Sequence, residues 1–473
     1  MKPILMIDFG STNTKVTAVD LEAGELLGTA ASYTTVQTDI NDGLVNALAK
    51  LHEKLGFEPD YTAKYACSSA AGGLKMIASG LVPELTAEAA RQAALGAGAK
   101  VMKTYSYELT EDDAEEIAAM KPDIFLLTGG TDGGNKDNII QNAHVIAGIP
   151  LDFPVLIAGN RAAARTCRQI LEEAGKTVMV CENVMPRFNE LNIEPAQERI
   201  REIFLDRIIK AKGLSQASQL ISGIMMPTPA AVLLACELLS KGTDEFSANP
   251  EERGLGELVA VDVGGATTDI YSMTDGAPDR MNTVMKGLPE PFAKRTVEGD
   301  IGMRYSAAGI VEAAGMKRIS LISGISEDRC WDLLDQITED TSTMPDTDEL
   351  KAFDKALASM AIKTGLTRHA GTIEKVYTPM GEAWVQAGKD LSRVDKIIIT
   401  GGSLIHGQPD DVREIASHAL YDIAESASLK PQNAEVLVDK EYILSAMGLL
   451  AQHAPDIALK IMKKELRSYG TAK

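Results

Sequence analysis

The sequence predicts an α/β protein of two similar lobes, one of them carrying an inserted α/β domain. Two observations lead there. The first is a loop that occurs twice. After the apolar residues 4–7 comes Asp8-Phe-Gly10-Ser11-Thr12-Asn13-Thr14-Lys15, and after the apolar residues 258–261 comes Asp262-Val-Gly264-Gly265-Ala-Thr267-Thr268-Asp269. The copies align without a gap, and each joins two apolar strands through a Gly/Ser/Thr turn. The second observation is that short apolar runs alternate with helical spacing between about residues 60 and 185, the pattern of a mainly parallel sheet.

The elements follow in order. Residues 3–31 read as a hairpin whose turn contains Glu22-Ala-Gly24-Glu. Residues 38–56 carry Ile40, Leu44, Leu48, Leu51 and Leu55 at helical spacing, closed by Gly56. Strands are expected at 64–67, 123–128, 154–158 and 177–181. Helices are expected at 87–99, 111–120, through 146, and at 161–174. Pro186 and Pro195 punctuate the exit, and a helix follows from Gln197 to about Lys212. Pro227 and Pro229 open an apolar helix over 230–239, since proline is tolerated in a first helical turn. The polar, Gly- and Pro-bearing stretch 241–256 marks a lobe boundary. Beyond the second loop, 340–350 reads as an acidic exposed loop and 351–366 as a helix. Residues 395–400 read as a strand ending in Gly401-Gly402-Ser403, and two helices close the chain at 442–452 and 457–466. The expected division is a first lobe over 1–59 and 186–255, the insertion over 60–185, and a second lobe over 256–473.

Composition narrows the function. A chain of 473 residues has room for roughly three ordinary domains. The net charge of −20 argues against nucleic acid, which needs a basic footprint. The five cysteines are scattered and never form Cys-x-x-Cys, which disfavours a disulfide framework or a zinc knuckle. No apolar run reaches the ~18–20 residues of a membrane span, and the start is charged again at Asp8, too soon for a signal peptide. The expectation is a cytoplasmic protein without a membrane partner; homo-oligomerisation is left open.

A Gly-Ser-Thr-x-Thr turn points backbone N–H groups and hydroxyls inward, which suits phosphate oxygens. A carboxylate at the strand end repels phosphate directly. Its use there is to hold a hydrated Mg²⁺, which keeps several of its waters. Asp8 and Asp262 are therefore the expected metal ligands. Gly10, Ser11, Thr12, Asn13 and Lys15 in the first loop, and Gly264, Gly265, Thr267 and Thr268 in the second, are expected to hold phosphates. The glycines of Thr400-Gly401-Gly402-Ser403 would let an adenine or ribose lie on the backbone. Thr128-Gly-Gly-Thr-Asp132-Gly-Gly-Asn135 follows a strand similar to the one before Thr400 and reads either as a tight turn or as a second ligand or partner site. The six histidines form no ligating cluster, so no metal beyond Mg²⁺ is expected.

The order of these motifs resembles the nucleotide-binding superfamily of actin, heat-shock chaperones and sugar kinases. The first loop has the actin spacing from Asp8 to Lys15. The second is similar to the chaperone pattern, with Asp262 and Asp269 at its two acidic positions; together with Asp8 of the first loop these are the expected catalytic acids. Pro227-Thr-Pro-Ala-Ala is similar to the chaperone connecting helix, but Met226 stands where those proteins have a glutamate, which implies slow or partner-dependent hydrolysis. Glu298 sits where the superfamily often has an acid near the ribose. The resemblance implies duplicated actin-like (ribonuclease H-like) lobes and ATP/ADP with Mg²⁺ as cofactors.

Four segments narrow it further: Cys67-Ser-Ser-Ala-Ala-Gly-Gly-Leu-Lys-Met76, residues 127–135, residues 261–269, and Arg295-Thr-Val-Glu298-Gly-Asp-Ile-Gly-Met-Arg304. Together they resemble the glutamate-mutase-associated MutL-like family, from residue 1 to about 450. That resemblance implies an ATP-dependent reactivating factor for adenosylcobalamin-dependent mutases or aminomutases, whose subunits would be its partners. Residues 178–190 also resemble hydantoinase/oxoprolinase subunits, so ATP-dependent opening of a cyclic amide is an alternative. A small-molecule kinase is a third, though no distinct acceptor base stands out.

Overall fold

The computed structural model describes all residues except 11–12, 34–39, 70–73, 212–223, 245–246, 248, 380, 403 and 406. It forms two compact units. One comprises Met1–Val232 with Gly287–Pro289 and Gly448–Leu450, the other Leu233–Lys286 with Glu290–Met447 and Ala451–Lys473.

The first unit opens with β1 (Pro3–Phe9), β2 (Asn13–Asp20), β3 (Glu25–Tyr33) and β4 (Ala63–Ser68). Every residue of β1 is buried, as expected of a central strand flanked on both faces. The expected hairpin is a three-stranded antiparallel meander, because β2 pairs with both β1 and β3. Strand β4 pairs in parallel with β1. It therefore belongs to this sheet and not to the insertion, whose start was expected at residue 60.

A second sheet follows, made of β5 (Lys75–Gly80), β6 (Lys100–Ser106), β7 (Ile124–Leu127), β8 (Val155–Ile157) and β9 (Val178–Val180). Its order is β6-β5-β7-β8-β9, and every pairing is parallel. One face packs Met76 and Ala78 against the small-residue helix Glu88–Gly96. The other packs Ile77, Phe125 and Leu127 against helices Asp137–Ala147 and Arg161–Glu173. Strand β10 (Ile224–Pro227) then returns to the first sheet and completes the order β3-β2-β1-β4-β10.

The second unit repeats that sheet. Strands β11 (Leu258–Val263), β12 (Thr268–Met273), β14 (Ala293–Glu298), β17 (Lys396–Thr400) and β18 (Ala434–Val438) stand in the order β14-β12-β11-β17-β18, extended by β19 (Arg467–Ala472). The pairing senses also match: antiparallel for the first three strands, parallel for the next two. A three-stranded sheet, β13 (Thr283–Lys286), β16 (Gly381–Ala387) and β15 (Thr372–Thr378), is particular to this unit. The 22-residue helix Asp348–His369 lies in the core beside β11 and β12; its N-terminus is capped by Thr347 Oγ1, which accepts from Leu350 N–H.

Candidate functional site: the two acid-ended loops

Strand register places the two loops identically. Asp8 pairs with Lys15 across β1 and β2, and Asp262 pairs with Asp269 across β11 and β12. Both turns close on the same backbone bond, Gly10 N–H to Asn13 O at 3.1 Å and Gly264 N–H to Thr267 O at 2.9 Å. Glycine is required at the first of these. A Cβ on Gly10 would lie 2.5 Å from Asn13 O, closer than real contacts allow. On Gly264 it would lie 3.0 Å from Thr267 O.

In the first loop Asp8 is buried and accepts from Thr228 Oγ1 at 2.6 Å, with Lys15 Nζ 3.6 Å from its other oxygen. Thr228 follows β10, where Met226 is buried in register with Cys67. The connecting segment thus presents a hydroxyl to Asp8 and an apolar side chain where a carboxylate was missing from the sequence pattern. Burial, with the Asp8 charge beside it, pushes the Cys67 thiol well up, so it is not a thiolate nucleophile. Ser11 and Thr12 lie outside the described residues, and Asn13 is exposed at the turn.

The second loop is held from behind. Its carbonyls at Gly264 and Gly265 accept from the N–H groups of Met303, Arg304 and Tyr305 at 2.9–3.0 Å. Arg304 in turn makes a two-bond ion pair with Asp354 of the long helix, at 2.7 and 3.0 Å. With the carbonyls engaged there, the loop is fixed by an element remote in sequence.

Asp269, at the position equivalent to Lys15, is held by the buried Arg295 at 2.6 and 2.8 Å. Two carboxylates across one strand pair repel; Arg295 on β14 neutralises one of them. Asp269 is thereby an ion-pair partner, with Thr267 Oγ1 donating weakly at 3.4 Å. Thr268 departs from expectation. It is fully buried, its Cγ2 lies 3.5 Å from the Cβ position of Gly365, and its hydroxyl has no partner among the described residues. Side chains alternate along a strand, so Thr268 faces the core and does not present its hydroxyl to a ligand.

Glu298 pairs with Arg368 at 2.6 Å. Burial pushes its pKa up, and Arg368 offsets part of that. Gly401 has φ 111°, and a Cβ there would lie 2.3 Å from Val263 O; only glycine lets β17 end against the second loop. Gly402 is exposed, with nothing within 4 Å of its Cβ position. Ser403 lies outside the described residues.

Two residues at this site carried no sequence signal. Asp439 accepts from Thr400 Oγ1 at 3.2 Å and from the N–H groups of Ile443 and Leu444 at 2.9 and 3.1 Å. Tyr442 sits at φ 54°, a strained region for a bulky residue, and its hydroxyl is 3.5 Å from Asp262. In each unit the loop acid thus meets a hydroxyl from the segment after the fifth strand, Thr228 in one and Tyr442 in the other. A Lys15 four residues after Ser11 is visible in a sequence; a tyrosine 180 residues from its acid is not. Among the described residues no group of three or more His, Cys, Asp or Glu is placed to hold a metal.

The family model for MutL protein matches residues 4–466. The chain belongs to the MutL protein family. "Protein MutL" of Clostridium tetanomorphum is 49% identical over 470 residues, covering 98% of this chain and 99% of that one. Among solved structures, the chain is similar to component A of (R)-2-hydroxyglutaryl-CoA dehydratase from Acidaminococcus fermentans, at 10% identity and a TM-score of 0.28, covering 98% of this chain and 99% of that one. Xylulose kinase from Bifidobacterium adolescentis is similar at 12% identity and a TM-score of 0.34, over 100% and 96% of the two chains. Among the described residues no helix is long and apolar enough to cross a membrane.

Proposed function

We propose that this member of the MutL protein family is an ATP-dependent reactivating factor that promotes exchange of damaged cobalamin on an adenosylcobalamin-dependent mutase or aminomutase. The observation behind the ATP assignment is the repetition of one acid-ended, glycine-closed loop at the same register of two sheets that share one order over five strands. Family membership supports the mutase assignment. Asp8 and Asp262 would hold Mg²⁺, whose charge would offset that of the phosphates. Thr228 and Tyr442 orient those carboxylates. Lys15 adds a positive charge beside the first loop, and the glycine pair after Thr400 borders the adenosine.

Hydrolysis is slow in this reading. Met226 supplies no carboxylate to activate water, and Asp269 is occupied by Arg295. The product of ATP use is then a change of conformation, which a ligand drives only through differential affinity for two states.

The test is capture of a corrinoid mutase by the chain with and without Mg²⁺-ATP, together with rescue of a mutase inactivated by damaged cofactor. ATP-dependent capture and rescue are expected. Absence of both would refute the proposal, and ATP turnover stimulated by hydantoin or 5-oxoproline would replace it with the ring-opening alternative.

A further inference from the structure

The three-stranded sheet of β13, β16 and β15 has two unlike faces. Side chains alternate along each strand, and the register fixes which of them share a face. One face carries Trp384, Gln386, Ile373 and Lys375, and it is anchored. Ile373 and Gln386 are buried, and Gln386 Nε2 donates to Gly276 O and Gly388 O, both at 2.9 Å. The charges on this side are also spent: Lys375 pairs with Glu382 at 2.7 Å, and the Arg280 guanidinium lies 4.5 Å over the Trp384 ring.

The other face is open. Its centre is apolar, because Val284, Val385, Val376, Ala383 and Ala387 are neighbours across the three strands. None of them is buried; Val284 is 62% exposed and the other four are half-exposed. An apolar sheet face is normally covered by a second layer. Two exposed charges flank this one, Lys286 on β13 and Glu374 on β15, and neither has an ion-pair partner among the described residues. Lys286 stands level with Ala387 and Thr372, Glu374 level with Val385 and Val284. The two charges are therefore on opposite edges and two residues apart along the strands, roughly 12 Å from each other. That is too far to pair within one chain.

Such a face is complementary to itself. Lay two copies face to face about a two-fold axis between them that crosses β16 between Val385 and Ala387. The edge strands then exchange, so that β13 of each copy lies over β15 of the other. The valines and alanines supply each other's missing layer. Lys286 of each copy meets Glu374 of the other, twice over, as an isologous contact requires, and both side chains are long enough to span the two-residue stagger. A partner of another sequence would need no such symmetry of charge. We propose that the open face of the β13-β16-β15 sheet is the contact of a two-fold dimer of this chain. Three strands are only about 14 Å across, narrow for the ~800 Å² per partner of a standard interface. The dimer is therefore weak and fills as concentration rises.

Sedimentation equilibrium of the full-length chain, from low micromolar to near-millimolar concentration, tests this. A monomer–dimer equilibrium is expected. Val385→Asp puts a charge at the apolar centre and should leave monomer alone. Lys286→Glu and Glu374→Lys each set like charges opposite one another, and each should weaken the dimer at least about tenfold. Mixed in equal amounts, these two variants should pair with each other at near the parent strength, since opposite charges meet again at both contacts. The double variant should dimerise for the same reason. Lys286 and Glu374 are exposed, so their variants should melt at the parent temperature even where Val385→Asp does not fold. A chain that stays monomeric throughout, a dimer untouched by a folded Val385→Asp variant, or charge variants that fail to pair on mixing overturns the proposal. A mutase that protects this face from hydrogen exchange while the free chain stays monomeric would overturn it too, and would assign the face to that partner.

Discussion

Arg295 and Asp269 form a largely buried ion pair. Removing one partner of such a pair costs about 3–5 kcal/mol, because the other is left buried and uncompensated. Arg295→Leu is therefore expected to lower the urea midpoint strongly, and Arg295→Leu with Asp269→Leu to recover part of the loss. Denaturation of the two variants checks this; equal midpoints would mean the pair is not the structural unit described. Gly10 makes a different demand. Gly10→Ala forces a Cβ into Asn13 O, so the turn must open. Loss of Mg²⁺-ATP binding of at least about tenfold, roughly 1.4 kcal/mol, is expected, read by calorimetry. Lys389 makes a pH prediction. It is buried, donates to Thr274 O and Phe292 O at 2.6 and 2.7 Å, and burial brings its pKa down to about 7. The folded chain then binds fewer protons than the unfolded one above pH 7, so stability rises with pH from there toward the ordinary lysine range. Urea midpoints at pH 7 and pH 9 should show the rise, and Lys389→Met should flatten it.

At the scale of elements, the long helix Asp348–His369 positions the second loop in two ways. Asp354 anchors Arg304, and Gly365 lets the helix approach β12, where a Cβ would meet Ile270 Cδ1 at 3.0 Å. Gly365→Leu is expected to cost about 1–3 kcal/mol by overpacking and to weaken nucleotide binding without touching a loop residue. Thermal melts and calorimetry read the two effects separately. None of this was legible in the sequence. The helix itself was, from 351 onward, because its apolar spacing is local; the contact of Gly365 with Ile270 joins residues far apart in the chain. The same distinction explains the other differences. Strand β4 looked like the first strand of the insertion because alternation says nothing of pairing partners. Thr268 looked like a ligand because a Gly-Thr-Thr run does not reveal which threonine faces the core. The small sheet of β13, β16 and β15 was missed because its strands are half-exposed and lack an apolar run. The strand–turn–strand units around Asp8-Phe-Gly10 and Asp262-Val-Gly264, and the strand end at Gly401, were legible because a tight turn dictates its residue types within a few positions.

At the scale of the whole chain, the two sheets are duplicates whose loops have diverged. One pairs its acid with Lys15, the other repeats an acid and brings Arg295 to balance it. Each unit also ties its acid to the segment after its fifth strand, which leads into a helix: Thr228–Lys241 in one case, Leu444–Ala451 in the other. A ligand that binds only the folded chain stabilises it by about 2.7 kcal/mol at a hundredfold excess over its dissociation constant. Mg²⁺-ATP should therefore raise the melting temperature, and EDTA should abolish most of that rise, because without the metal the carboxylates repel the phosphates. Asp262→Ala should lose Mg²⁺-ATP hydrolysis while its melting temperature without nucleotide stays close to that of the parent chain. If the variant still turns over ATP at the parent rate, the second loop is not the metal site, and the divergence of the two loops would have to be read as loss of function in one of them.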